Sequence, residues 1–512
     1  MPSSARAGPA WPPAVKIVLT HLGALRRKHG AQGVSQIAAA VADLAAADAA
    51  RGVETRLVAM DDGRRARGLG VSQVSDAGDV AAAKAFADAA AARWEPSYIL
   101  LLGSPDVVPM PGLANPLWTG DPRAGDPDET IPSDLPYASD APHSTDAGTF
   151  VGATRVVGRL PDGTGARGPA QLLRLLATSA RHRTRRRSSY LPAFALTAAE
   201  WRGSTAATLT KLAGDATELH DAPPDAPPWP AAQTRRRLHL VNLHGAVADP
   251  RFYGQRGRSF PVALDAAELG GGRRLVEGTV CAAECCYGGM LFDPAESGGV
   301  RGFADTYLAA GAYGYCAATN VAYGPADTND AADLVCRAFL QHVLAGCSVG
   351  RAMLQARQDY AFTKASLSPI DIKTLAQFTL FGDPSVQPIV RPTAAVADGA
   401  AVPKGALAAP PGGIAARRRR LVANGRALET TTTRAASVPR ELNPRERRVI
   451  AELLPSAEGR VLSFDVMAAA AAVAGPGERF HVALERRPSG LRAIVAREEA
   501  GRMQQVTLLR AR

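Results

Sequence analysis

Two apolar segments that both stop at glycine constrain this chain more than any other feature. Leu238-His239-Leu240-Val241-Asn242-Leu243-His244-Gly245 ends on a histidine and a glycine. About forty residues later, Gly278-Thr279-Val280-Cys281-Ala282-Ala283-Glu284-Cys285-Cys286-Tyr287-Gly288-Gly289 ends on paired cysteines and paired glycines. Runs of about six small or branched apolar residues closed by glycine predict buried parallel strands. Side by side in one sheet, they bring His244 and one cysteine out together at the carboxyl edge, where open α/β sheets place their ligands. A thiol with an imidazole in reach is the makings of a cysteine nucleophile. Taken singly, each residue also reads as ordinary core, since buried cysteine is common and a histidine after an apolar strand is usually a hydrogen-bonded structural group. The flanking glycines favour the pair: Gly245 leaves a backbone amide unshielded for a developing oxyanion, and Gly288 and Gly289 leave open space for a substrate chain.

The rest of the chain supplies the sheet. Strands are predicted at 15–20, 54–58, 98–103, 193–197 and 312–319, and helical spacing at 34–50, 77–94, 170–181, 204–213, 303–310, 329–344 and 349–364. That alternation specifies βαβ units and a parallel sheet flanked by helices, here in two subdomains. Residues 104–150 form a loop-rich segment, 215–230 a Pro-rich loop, and 379–384 a closing turn. The expected divisions are a disordered 1–14, an N-terminal α/β subdomain 15–190, a catalytic subdomain 191–390, a flexible Ala/Pro/Arg linker 391–422, and a small C-terminal domain 423–512. In that last part a helix at 444–454 precedes runs at 461–466, 479–485, 491–497 and 503–509, which suggest a small α+β unit or an antiparallel meander.

With 512 residues the chain exceeds what one core usually serves. No run approaches a membrane span, and the amino terminus lacks the apolar centre of a secretory signal, so the expected compartment is the cytoplasm. Six cysteines do not make a disulfide scaffold at this length, and Cys281, Cys285 and Cys286 contain no CxxC pair, so neither metal nor cofactor is expected. The net charge of +11 permits contact with a polyanion. Its arginine clusters at 185–187, 235–237 and 417–420 lack interleaved aromatics and match no DNA-binding spacing, so they read as solvated loops rather than a nucleic-acid surface.

At this point the sequence resembles a known group. An apolar strand ending in His-Gly, followed about forty residues on by one ending in an acidic or small residue and Cys, is similar to the pattern of caspase-like cysteine peptidases, and most of all the gingipain family. The resemblance covers roughly 15–388. Tyr98 to Val108 resembles the segment LLGxPDxxP, Ile131 to Tyr137 and Val157 to Pro161 follow in order, and Phe378 to Ser385 resembles the family's closing FGDPS turn. The resemblance implies that Cys286, rather than Cys285, attacks the scissile carbonyl to give a thioester and that His244 acts as general base and acid. It implies further that the amides of Gly245 and Cys286 hold the oxyanion and that protein or peptide is the substrate. It also implies that Asp134 receives a basic side chain, giving cleavage after Arg or Lys; the alternative is that Asp134 caps a turn in its loop. With such a pocket, 185–187 and 417–420 become candidate self-cleavage sites. The C-terminal domain departs from the secreted gingipains and is expected to regulate the enzyme or to bind a partner protein. Rival readings are an inactive caspase-like scaffold and a basic nucleic-acid-associated protein.

Overall fold

The computed structural model describes residues 14–391 apart from 124, 273 and 365, together with 414–431, 434–436, 461–467, 479–487, 490–499 and 502–512. One ten-stranded sheet carries the larger part. Its order is 53–59, 14–20, 98–102, 157–160, 378–381, 314–318, 280–283, 238–242, 194–198, 219–222. The first five of these strands run parallel to one another, and so do the last five. The two sets meet antiparallel where Tyr315–Ala318 pairs with Phe378–Phe381. Two parallel half-sheets joined at one antiparallel seam are the structural form of the two-subdomain α/β fold. Helices pack on the faces, so strands such as Tyr98–Leu102, Phe194–Ala198 and Gly314–Ala318 are buried at every position, as parallel sheets require.

The short motifs prove to be clamps across this sheet. Arg159, fully buried, donates to the carbonyls of Gly103 and Val108 at 2.8 and 2.7 Å. The turn at Gly382-Asp383-Pro384 is held against the first strand, where Lys16 sits between Asp48 at 2.5 Å and Asp383 at 2.8 Å. Gly382 has φ 146°, and a side chain there would come within 2.6 Å of the Tyr313 carbonyl, so only glycine fits. The segment predicted as a turn at 379–384 is therefore half strand. Its apolar part, Phe378–Phe381, is a fully buried central strand, and only Gly382 onward turns. Four residues, three of them apolar, directly after a helix, Pro369–Gln377, carry no periodicity of their own. The Pro-rich loop likewise contains an edge strand, Leu219–Ala222.

The expected meander exists and is larger than the sequence shows. Strands 434–436, 461–467, 479–487, 490–499 and 502–511 pair antiparallel in sequence. A sixth strand comes from the other unit: Tyr323–Gly324 pairs with Arg510–Ala511. The predicted helix at 444–454, the self-cleavage run at 417–418 as regards its side chains, and most of the predicted linker lie outside the described residues. The last part of that linker opens a helix, Ile414–Thr431.

Candidate active site

The histidine strand Leu238–Asn242 and the cysteine strand Val280–Ala283 are immediate parallel neighbours, in register from Leu238↔Val280 to Val241↔Ala283. Extended by three residues, that register sets His244 beside Cys286 at the carboxyl edge. Gly245 shows how close the two segments run: a Cβ there would lie 1.9 Å from the Cys286 carbonyl oxygen. The backbone of His244 is fixed by two hydrogen bonds with Tyr253, 2.9 and 2.8 Å long. Its ring lies 4.4 Å from that of Trp201 and 5.0 Å from that of Phe260. Nε2 donates to Gln255 Oε1 at 2.7 Å, which leaves Nδ1 with the basic lone pair. Burial lowers the His244 pKa to about 4, opposed by the Gln255 hydrogen bond.

The two cysteines point apart, as neighbours beyond a strand do. Cys285 is fully buried with its sulfur 3.9 Å from the Val241 carbonyl, inside the sheet. Cys286, also buried, accepts a hydrogen bond from the Ala322 amide at 3.2 Å. Its thiol is pushed up to about 12 by burial, only partly offset by the Ala322 contact and the charge of Lys373. Tyr287 follows with φ 55° and turns the chain away. Gly288 and Gly289 do not open the space expected of them. A Cβ on Gly288 would lie 3.2 Å from both the Cys285 carbonyl and the Phe252 ring, and one on Gly289 2.9 Å from the Ala317 carbonyl. These glycines are there for close backbone packing.

Asp134 is engaged elsewhere. Both of its oxygens accept from the Arg159 guanidinium, at 2.6 and 2.8 Å, and both side chains are out of solvent. This carboxylate has its own internal cation, in the clamp that holds the Gly103–Val108 turn.

The acidic pocket beside the thiol is made by residues the sequence analysis passed over. Glu284 and Asp333 are buried and face a guanidinium, that of Arg512. Arg512 pairs with Glu284, donates from one nitrogen to both Asp333 oxygens at 2.9 Å and to the Pro325 carbonyl at 3.1 Å, and lies 5.4 Å from the centre of the Trp201 ring. Gly324 makes the room, since a Cβ there would fall 2.1 Å from the guanidinium. Burial first, then the charge of Asp333, hold the Glu284 carboxyl well above its usual range. The two carboxyls lie close together in a site out of solvent, and Arg512 is the cation that faces both. The backbone of Arg512 is held as firmly: its N–H donates to Ala322 O at 2.9 Å, and its carbonyl oxygen accepts from the Cys286 N–H at 2.9 Å. The one signal in the sequence was Glu284, an acid closing an otherwise apolar strand. Asp333 and Arg512 could be joined to it only by the fold.

The loop 104–150 supports this rim from behind. Asp128 accepts from the Tyr287 hydroxyl at 2.9 Å and the Val321 amide at 3.1 Å, and Asp126 accepts from the Tyr323 hydroxyl at 2.8 Å and is paired with the buried Lys373. Among the described residues, no group of three or more His, Cys, Asp and Glu is arranged to hold a metal ion, and no helix is long and apolar enough to cross a membrane.

His239, two turns of pleat below His244, gives a pH prediction. Its Nε2 donates to the Arg236 carbonyl at 2.9 Å and its Nδ1 meets the Tyr307 hydroxyl at 2.8 Å. Burial holds its pKa down at about 4. The unfolded chain binds this proton below about pH 6.5 and the folded one only near 4. Stability from this group is therefore complete above 6.5 and lost as pH falls toward 4, by on the order of 3 kcal/mol. Chemical denaturation between pH 7 and 4.5 should show the loss, with a shallower slope in His239→Gln; equal slopes would mean that His239 is charged in the native state.

Residues 271–389 match the family described as Peptidase family C25. No curated protein matches the chain. A solved structure described as "Structure of Protease" aligns at a TM-score of 0.45 and 11% identity, covering 98% of this chain and 97% of that one.

Proposed function

We propose, from the match of residues 271–389 to Peptidase family C25 and the geometry of the rim, a cysteine endopeptidase of the caspase-like, gingipain type that cuts after Arg or Lys. Cys286 attacks the scissile carbonyl, His244 takes the thiol proton through Nδ1 and returns it to the leaving amine, and the resulting thioester is hydrolysed by water. The Cys286 amide stabilises the oxyanion, with Gly245 alongside. Gln255 orients the imidazole, a positioning part that a third catalytic residue would otherwise play. The basic side chain of the substrate enters between Glu284, Asp333 and Trp201, in place of the Asp134 expected from the resemblance. Six free cysteines suit a reducing compartment, and the cytoplasm is the location proposed.

One observation carries this reading: an arginine side chain lies in an acidic, aromatic pocket while its own carbonyl rests on the Cys286 amide. An inactive scaffold has no need of a pocket that measures both a guanidinium and the carbonyl next to it. A set of fluorogenic peptides varied only at the residue before the cut tests it. Arginine should exceed alanine in kcat/KM by about a hundredfold or more, because a buried charge pair is lost with the smaller residue. Glu284→Gln and Asp333→Asn should narrow that ratio. A flat profile, or a preference for acidic residues, would refute the specificity.

A further inference from the structure

We infer that residues 510–512 are a substrate-like occupant built into the chain, and that they close the peptide site in cis. This rests on the peptidase reading above and adds its regulation. Three independent features of the segment are those of a bound peptide. Arg510 and Ala511 add an antiparallel strand to Gly324 and Tyr323, the pairing by which an extended peptide joins an exposed edge. Arg512 continues that pairing through its N–H to Ala322 O, and its carbonyl oxygen takes the Cys286 amide, the donor proposed for the oxyanion. Its side chain is paired with both Glu284 and Asp333, with all of the guanidinium out of solvent.

The segment also covers the nucleophile. Ala322, whose amide is bonded to the Cys286 sulfur, is the residue whose carbonyl receives Arg512, so strand and thiol share one backbone partner. The occupant is tied to the C-terminal sheet by the antiparallel pairing of Arg502 to Arg510 with strand Gly490–Glu499. A tethered ligand of this kind acts at an effective concentration of about millimolar for a short connection. A free peptide must outcompete it, so the closed form is slow until the last strand is withdrawn from the 322–324 edge.

The test compares wild type, Arg512→Ala and a variant lacking 510–512 for the rate at which a peptidyl-arginine chloromethyl ketone alkylates Cys286, and for hydrolysis of a fluorogenic arginine peptide. Both variants are expected to react at least tenfold faster than wild type, with Cys286→Ala in each background abolishing the signal. Equal rates in all three proteins would overturn closure in cis while leaving the peptidase reading intact. If none of the three reacts, the peptidase reading itself falls, and closure with it. Because removal of Arg512 leaves two buried acids without their cation, a second measurement guards against a variant that folds poorly. A synthetic peptide spanning Val506 to Arg512, added to the variant lacking 510–512, should inhibit competitively and raise its melting temperature; no inhibition at millimolar peptide would also overturn the proposal.

Discussion

Replacing Cys286 by alanine should lower kcat/KM for an arginine peptide by about 10⁴-fold or more, while Cys285→Ala keeps activity within a few-fold. The two sulfurs belong to adjacent residues, yet their surroundings differ in kind. Cys285 is sealed in the sheet against the histidine strand, so truncation there removes a buried sulfur and its contacts and costs about 1–2 kcal/mol of stability with no change in chemistry. Cys286 lies where the Ala322 amide, the Arg512 carbonyl and the His244 segment converge. Burial holds its thiol neutral while the site is filled. On the closure proposed above, activation requires withdrawal of the occupant, and the measurement is best made in the Arg512→Ala background. A Cys285→Ala protein that is inactive but folded, beside an active Cys286→Ala, would reverse the assignment.

Asp134→Asn should destabilise the protein by about 3–5 kcal/mol and leave the preference for arginine before the cut unchanged. The carboxylate is the counter-ion of Arg159, which is fully buried and also holds the Gly103 and Val108 carbonyls. Neutralising Asp134 leaves a guanidinium charge without compensation in the middle of the sheet, and breaking a buried pair from one side costs far more than the pair itself contributes. Urea denaturation and the peptide series together separate the two roles for this residue. A protein of normal stability that no longer distinguishes arginine from alanine would return Asp134 to the pocket and dislodge Glu284 and Asp333 from it.

Much of the architecture was legible because it is written in local periodicity. Strand Tyr98–Leu102 and helix Ala170–Arg181 fall where their spacing predicts, since each buries a face defined by its own residues. Phe378–Phe381 escaped because a four-residue strand beside a glycine-proline turn has no period to read. Helix Leu22–Ala49 began earlier than its apolar spacing suggested, with Gly30 at φ 72° interrupting it and hiding its first turns. The expectation of open space beyond the cysteines failed for a related reason: a glycine permits either emptiness or close approach, and the sequence does not say which.

What the residues determined alone is that a histidine and a cysteine reach one edge of one sheet, because strand length and glycine stops are local and a parallel pairing leaves them nowhere else to emerge. Which acid meets a basic side chain was settled by folding alone. Asp134, Glu284, Asp333 and Arg512 span most of the chain, and the charge each carboxylate neutralises depends on contacts across hundreds of residues. Burial strengthens a charge pair and penalises an unpaired charge, so in this protein the partners, and with them the pocket, are properties of the tertiary structure.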